Sequence, residues 1–102
     1  MWYLTLRRNA KPRDQFTVTL DQHLVWMKQQ HEAGRILFSG PTPDRSTGIY
    51  VIRAGSREEA EAIAASDPYT AGGCTTFELI EWEVHQVLGV GPFTASDLQA
   101  HR

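Results

Sequence analysis

The order of the predicted strands and helices is the feature of this sequence that most limits its fold. Periodicity and turn residues predict strands over 2–8, 35–39, 48–54 and 74–85 and helices over 20–33 and 57–65. An order of strand, helix, strand, strand, helix, strand is typical of the ferredoxin-like fold, in which two helices cover one face of a four-stranded antiparallel sheet. The sequence therefore predicts an α+β domain of βαββαβ topology over residues 1–86, followed by a C-terminal tail over 87–102.

The strands differ in how clearly they separate two faces. In the first strand the two alternating sets are Trp2, Leu4 and Leu6, and Tyr3, Thr5 and Arg7. The strand over 48–54 is apolar on both faces, which is typical of a strand covered on both sides. The last predicted strand is also partly apolar on both faces.

The first predicted helix can be capped by Thr19 or Asp21 and stops at Gly34, a common C-terminal signal. On a helical wheel its predicted apolar stripe consists of Leu20, Leu24, Met27 and His31. His23 lies at the edge of this stripe. We therefore expect His23 to be partly buried at the rim between the helix and the sheet.

The second predicted helix opens with a capping box, in which Ser56 caps the helix and Glu59 reciprocates three residues later. Its apolar face is formed by small residues, so the helix can lie close to the sheet. The stretch 66–73 follows. It contains Asp67-Pro68, which is typical of a turn, and it ends in two glycines, so we expect a loop that leads into the last strand.

The two predicted helices leave one face of the sheet without cover. We expect Tyr50, Ile52 and the aromatic face of the last strand to lie on that face. An exposed apolar patch of this kind generally marks an interface. The simplest cover is a second copy of the chain packed sheet against sheet, so the sequence predicts a homodimer.

The composition is that of one soluble domain. The chain has 102 residues, of which 41% are hydrophobic and 22% are charged. Its formal net charge of −2 gives no footprint for nucleic acid or an anionic membrane, and the basic cluster Arg7, Arg8, Lys11 and Arg13 is interpreted as local. The sequence shows neither a signal-peptide core nor an apolar run of about 18 residues. We expect a cytoplasmic protein without nucleic-acid or membrane partners.

The sequence contains no recognisable motif for a cofactor or a metal. Its four histidines are His23, His31, His85 and His101, and no two are spaced i, i+4 on a helix. Cys74 is the single cysteine and offers neither a disulfide nor a zinc framework. Dinucleotide, Walker and haem motifs are absent. We expect no cofactor and no metal.

Several short motifs, taken together in order and spacing, resemble those of the YCII-related (YciI-like) proteins. The matching segments are 23–24, 34–41, 48–52, 58–60, 66–69 and 80–82. Each segment is short, but their succession spans about residues 1–86. The resemblance places the chain in the dimeric α/β-barrel group of ferredoxin-like folds.

This resemblance implies a small α+β dimer whose pocket holds a His–Asp pair as its active site. Carried onto this chain, the pair is His23 and Asp67. Most members of the family have no assigned reaction. One relative removes chloride from chlorinated hydroxyquinol-type aromatics, and muconolactone isomerases are among the fold neighbours. The tail over 87–102 lies outside the match.

The pair has a chemical interpretation and a structural alternative. A carboxylate fixes the tautomer of an imidazole and favours its charged form, so we hypothesise that His23 is a general acid/base oriented by Asp67. Alternatively, His23 is bonded to a local carbonyl and Asp67 is a turn residue before Pro68.

Five further residues are candidates for substrate binding. Ser39, Gly40 and Pro41 could line a pocket through a hydroxyl and a close backbone approach, or simply end a strand. A nucleophilic Ser39 is disfavoured because no Gly-x-Ser-x-Gly elbow surrounds it. Tyr69 and Trp26 could form an aromatic wall for a flat substrate, or pack in the core or an interface.

These features favour a small cofactor-independent enzyme that transfers protons on a cyclic or aromatic metabolite, as an isomerase or a lyase of the dehydrochlorinase type. The alternative is a non-catalytic dimer in which His23 and Asp67 hold a small polar ligand. A third option is a cofactor-free oxygenase, which would need a substrate that reacts with oxygen by itself.

Overall fold

The structure, a computed structural model, describes residues 1–86, and the predicted tail over 87–102 lies outside the described residues. Its main elements are β1 (Trp2–Asn9), α1 (Leu20–Glu32), β2 (Ile36–Pro41), β3 (Thr47–Arg53), α2 (Arg57–Ala65), α3 (Pro68–Ala71) and β4 (Thr75–Trp82). A short 3-10 helix, Arg13–Gln15, lies between β1 and α1.

The strands form one four-stranded sheet in the order β2-β3-β1-β4, and all neighbours are antiparallel. The first strand is central, so Leu4 lies opposite Val51 on one side and Ile80 on the other. The pairing of β2 with β3 is irregular between Ile36 and Ser39. This topology, with helices on one face, confirms the predicted ferredoxin-like α+β fold.

The helices enclose the main hydrophobic core against one side of the sheet, which we call the helix-covered face. The buried residues of this core are Tyr3, Trp26, Met27, Ile36, Tyr50, Ile52, Ala54, Ala60, Ile63, Ala64 and Leu79. Because successive side chains of a strand point to opposite faces, Tyr3 places Thr5 and Arg7 on the helix-covered face as well.

The opposite side of the sheet, which we call the open face, carries a smaller apolar cluster. Its members are Trp2, Val51 and Val84, with Leu4 and Leu37 packed against them. None of these residues belongs to a helix. Around this cluster Ile49, Ile80 and Trp82 keep 38%, 43% and 45% of their surface exposed.

The prediction that Tyr50 and Ile52 lie on the open face is wrong. Both are buried in the helix-covered core, and Ile49 and Val51 point to the open face instead. A strand that is apolar on both faces gives no parity signal, so its sequence alone does not decide which set points toward the helices.

The buried face of α1 also differs from the predicted stripe. The residues it buries are His23, Trp26, Met27 and Gln30, at the spacing of one helical face. Leu20 and Leu24 are instead 52% and 51% exposed, and His31 is exposed. The predicted stripe followed Leu20 and Leu24, whereas the face that is buried carries Trp26 and the polar His23, which has hydrogen-bond partners.

Both long helices begin at predicted caps. The hydroxyl of Thr19 accepts from the backbone N–H of Gln22, and the Gln22 side chain accepts from the N–H of Thr19. Ser56 accepts from the N–H of Glu59, but the Glu59 carboxylate accepts from Gly55 instead of Ser56. The reciprocal half of the predicted capping box is therefore displaced by one residue.

The stretch 66–73 is not simply a loop, because it contains α3. Asp67 caps this short helix and Pro68 occupies its first turn, where a missing N–H costs no hydrogen bond. Gly73 follows with φ +77°, a left-handed conformation that glycine adopts without strain. The last strand is shorter than predicted and runs from Thr75 to Trp82.

Candidate active site

Asp67 lies at the centre of the site, where it is bonded to two side chains and to the backbone. It lies between α2 and α3, its side chain is fully buried, and its Oδ1 accepts a hydrogen bond from the backbone N–H of Tyr69 at 3.1 Å. This N-cap bond holds the carboxylate at the start of α3. The backbone of α3 therefore helps to fix the orientation of the Asp67 carboxylate.

His23 approaches the same carboxylate from α1, 44 residues earlier in the chain. Its Nδ1 lies 2.9 Å from Asp67 Oδ1, and its side chain is only 8% exposed. An ionised carboxylate can only accept, so Nδ1 carries the proton and donates it. The neutral imidazole then has its lone pair on Nε2, which is the tautomer that a general base requires.

Arg7 completes the group from β1. Its Nη1 donates to Asp67 Oδ2 at 3.0 Å and lies 3.0 Å from Nε2 and 3.2 Å from Nδ1 of His23. A single nitrogen cannot lie along the in-plane directions of both ring nitrogens, so the guanidinium lies against the face of the imidazole. Each oxygen of Asp67 thus meets a different side chain.

Gly48 makes the space that the Arg7 guanidinium occupies. It lies directly opposite Arg7 in the pairing of β1 with β3. A Cβ at position 48 would lie 2.7 Å from Arg7 Nη2, which is closer than heavy atoms pack. A glycine at this position therefore allows the charged group to lie over the β3 backbone.

The ionisation of Asp67 follows from these contacts. Burial alone would raise the pKa of this carboxyl, because it disfavours the charged form. The hydrogen bond and charge of His23, the charge of Arg7 and the N–H of Tyr69 act in the opposite direction and hold the pKa below its ordinary value. Asp67 is therefore a carboxylate at neutral pH.

Aromatic rings enclose the imidazole. The ring of Tyr69 stacks on His23 with centroids 4.7 Å apart and an interplanar angle of 18°. The ring of Trp26 is farther away, at 6.1 Å, and its Nε1 donates to Ser66 Oγ at 2.9 Å. Tyr69 is thus part of the site, whereas Trp26 is a core residue behind it.

A cavity of about 400 Å³ opens beside the imidazole. Its lining residues are Arg7, Arg13, Leu20, His23, Leu24, Met27, Ser39, Gly40, Pro41, Arg45, Gly48, Ile49, Tyr50 and Tyr69. The sequence candidates Ser39, Gly40, Pro41 and Tyr69 are among them. Trp26 and Asp67 are not, so of the predicted dyad only His23 reaches the cavity.

Two residues that line the cavity, Ser39 and Tyr50, carry hydroxyl groups in different surroundings. Ser39 Oγ lies 3.0 Å from Nε2 of the exposed His31. The hydroxyl of Tyr50 is buried and has no hydrogen-bond partner in the described part of the chain. Burial and the nearby charge of Asp67 raise the pKa of Tyr50, so it presents a neutral phenol.

Arg7 is the member of the site that the sequence reasoning missed. In the sequence it was interpreted only as part of a local basic cluster. The available signal was alternation, since Arg7 has the same parity as Tyr3 and Thr5 and therefore shares their face. An arginine on the face that packs against helices needs a buried partner, and Asp67 supplies it.

Metal binding has no obvious location in residues 1–86. Within this range no three or more His, Cys, Asp or Glu side chains cluster closely enough to hold an ion. Cys74 is buried, and the Thr17 hydroxyl lies 4.0 Å from its sulfur.

No helix within residues 1–86 is long and apolar enough to cross a membrane.

Sequence comparison places the chain in a family. The model of the YCII-related domain matches residues 1–83. The chain belongs to the YCII-related domain family. A curated relative, the uncharacterized protein YjpA of Bacillus subtilis (strain 168), is 34% identical over 62 residues, which cover 61% of this chain and 73% of YjpA.

Structural comparison finds the same fold in a solved enzyme. This YCII-family chain superposes on the 5-chloro-2-hydroxyhydroquinone dehydrochlorinase TftG from Burkholderia phenoliruptrix AC1100 with a TM-score of 0.64 and 22% sequence identity. The match covers 81% of this chain and 94% of TftG. That structure is a complex with 2,5-dihydroxybenzoquinone. At this level of identity, the likeness shows the fold.

Proposed function

We propose that this YCII-family protein is a small enzyme that transfers protons on a compact cyclic or aromatic substrate, as an isomerase or a lyase of the dehydrochlorinase type. The observation that carries the proposal is the buried 2.9 Å contact between His23 and Asp67 at the wall of a cavity of about 400 Å³. The dehydrochlorinase activity named for TftG supports the same class of chemistry.

In this proposal His23 is the catalytic residue and Asp67 the residue that positions it. Nε2 takes a proton from an O–H or C–H of the substrate, and the carboxylate stabilises the imidazolium that forms. In an isomerisation the same proton returns at another atom. In an elimination the chloride leaves with the electron pair of its bond to carbon. Ser39, Gly40, Pro41 and Tyr69 contact the substrate from the cavity walls.

The test is turnover of 5-chloro-2-hydroxyhydroquinone, measured by chloride release. We expect His23→Gln to lower kcat by roughly 10²–10⁴-fold, the usual contribution of a general acid/base. The control is His31→Gln, which removes the exposed histidine beside Ser39 and should leave kcat within about twofold. Equal rates for the wild type and His23→Gln would sink the acid/base assignment.

A second function, ligand binding without turnover, is favoured by the position of Arg7. Its Nη1 lies 3.0 Å from His23 Nε2, the atom that acid/base chemistry would use. A cation there opposes a second positive charge on the ring. If 2,5-dihydroxybenzoquinone binds, His23→Gln weakens only its affinity, and no substrate turns over, the binding function is the correct one.

We also propose that the protein is a homodimer formed through the open face. Ile49, Ile80 and Trp82 lie there together and are each more than a third exposed. Burying these side chains against a second copy would remove apolar surface from water. Sedimentation at low micromolar concentration tests this, and a monomeric mass would reject it.

A further inference from the structure

We propose that the ligand of the cavity beside His23 is an anion, a compact apolar ring that carries a carboxylate or an ionised oxygen, and that Arg13 and Arg45 bind its negative group. This inference rests on the proposed function only in taking this cavity as the substrate site. It adds the charge of the substrate and two residues that select for it.

The first argument is how charge is distributed. The chain as a whole has a formal net charge of −2, with 12 acidic and 10 basic residues. The charged residues that line the cavity are nevertheless all arginines, namely Arg7, Arg13 and Arg45, and no aspartate or glutamate of the described chain lines it. A cavity lined by one sign of charge concentrates ligands of the opposite sign.

The second argument is that two of the three arginines have no acidic partner within residues 1–86. Arg7 is bound to Asp67 at 3.0 Å. Within residues 1–86, neither Arg13 nor Arg45 forms a salt bridge, and the guanidinium of Arg13 lies 5.5 Å from the centre of the Phe16 ring. Both are exposed and line the cavity, so their charges are available to a ligand there.

The carboxylate that precedes Arg45 in the sequence is bonded within its own loop. The Oδ1 of Asp44 accepts from the hydroxyls of Thr42 and Ser46, at 2.7 and 2.8 Å, and from the backbone N–H of Ser46 at 3.0 Å. These bonds lower the pKa of Asp44 to about 2. Asp44 is therefore ionised but engaged by the turn, and Arg45 stays without an acidic partner.

The third argument is the apolar part of the lining. Leu20 and Leu24 are about half exposed on α1, where the sequence predicted buried residues, and both line this cavity. Met27 and Tyr69 complete an apolar wall beside them. A ring of small size can pack on these side chains while its negative substituent reaches the arginines, which matches the amphiphilic ligand proposed.

The test compares two probes of the same shape, benzoate and benzamide, by NMR titration of the full-length protein. We expect the wild type to bind benzoate at least threefold more tightly than benzamide. In the double variant Arg13→Gln, Arg45→Gln the preference should fall to about one, because exposed arginine–carboxylate contacts contribute roughly two- to fivefold each. Higher salt should weaken only the binding of benzoate.

The control variant is Arg35→Gln. It removes the same charge from an exposed arginine that does not line this cavity, so it should keep the preference for benzoate. Circular dichroism checks that every variant is folded. Equal affinity of the wild type for both probes, or an unchanged preference in the double variant, would overturn the proposal.

The readouts separate this inference from the proposed function. Binding selectivity is measured without turnover, so a preference for benzoate in a protein that converts no substrate upholds the anion site and rejects the enzyme. Conversely, turnover that depends on His23 but is equally fast with neutral substrates upholds the enzyme and rejects the anion site.

Discussion

Arg7 and Arg8 are neighbours on β1, and each forms a salt bridge of 3.0 Å, but on opposite faces of the sheet. Arg7 meets Asp67 under the helices, where the two side chains are 12% and 0% exposed. Arg8 meets Glu78 on the open face, where both are more than half exposed. Equal distances therefore occur in very different surroundings.

The comparison teaches that burial, more than the distance between the charges, decides how much an ion pair contributes to stability and to the positions of its side chains. Exposed pairs contribute little because water and salt screen them. A buried pair fixes the positions of its members, since either charge alone would be costly in the core. The helix-covered face accordingly holds the candidate site, whereas the open face offers apolar surface for association.

The largest expected effect comes from removing one acid from each pair. Asp67→Ala leaves Arg7 buried without its partner and should lower the free energy of unfolding by about 3–5 kcal/mol. Glu78→Ala should cost at most about 1 kcal/mol. Urea unfolding of both variants measures the difference, and equal losses would show that the two faces do not differ as argued.

The second prediction concerns the open face. Ile80→Glu places a charge in the proposed dimer interface and should raise the dissociation constant of the dimer at least tenfold, a loss of about 1.4 kcal/mol or more. Leu24→Glu is the matched change on α1, with similar exposure but on the other side of the sheet. If Leu24→Glu dissociates the dimer and Ile80→Glu does not, the open face is not the interface.

A third prediction disturbs the buried pair without altering any polar group. In Gly48→Ala the new Cβ meets Arg7 Nη2 at 2.7 Å and displaces the guanidinium. Overpacking costs about 1–3 kcal/mol, and replacing a strand glycine returns about 0.5–1 kcal/mol, so a net loss of up to about 2.5 kcal/mol is expected. The imidazole NMR signals of His23 should shift. Unchanged signals would mean that the Arg7 guanidinium accommodates the new methyl group without moving relative to His23.

The smallest effect is on acid stability. The folded pKa of Asp67 is depressed, so its contribution is complete above the unfolded value near 3.9 and is lost as pH falls through the folded value. Asp44, whose pKa is about 2, responds in the same range. Urea midpoints should therefore fall less steeply below about pH 4 in Asp67→Asn than in the wild type. Identical slopes in the two proteins would show that protonation of Asp67 does not contribute to the loss of stability in acid.

The sequence predicted the elements of the fold well because they depend on local signals. The start of α2 follows from Ser56, and the start of α1 from Thr19. Which face of each element is buried was harder. The two apolar faces of β3 gave no parity signal, and the leucines of α1 turned out to line a cavity.

The candidate site was predicted in part, and for a different reason. Helical periodicity placed His23 at a rim, but no local rule joins it to Asp67, 44 residues away. That pairing came from the family resemblance. Alternation in β1 assigns Arg7 to the helix-covered face, but no local rule identifies its partner Asp67, which lies 60 residues away.

The central position of β1 has a consequence for how the chain finds its fold. A strand that slipped by one residue would exchange the faces of all its side chains. Arg8 would then take the place of Arg7 beside Asp67, so the charged pair by itself tolerates the error. The correct register is therefore favoured at the other end of the strand. There the slip would put Leu4 in the buried position of Tyr3 and Leu6 in that of Thr5, and neither leucine has the same size and shape. The position of Arg7 in the site therefore depends on a strand register that is favoured by residues outside the site.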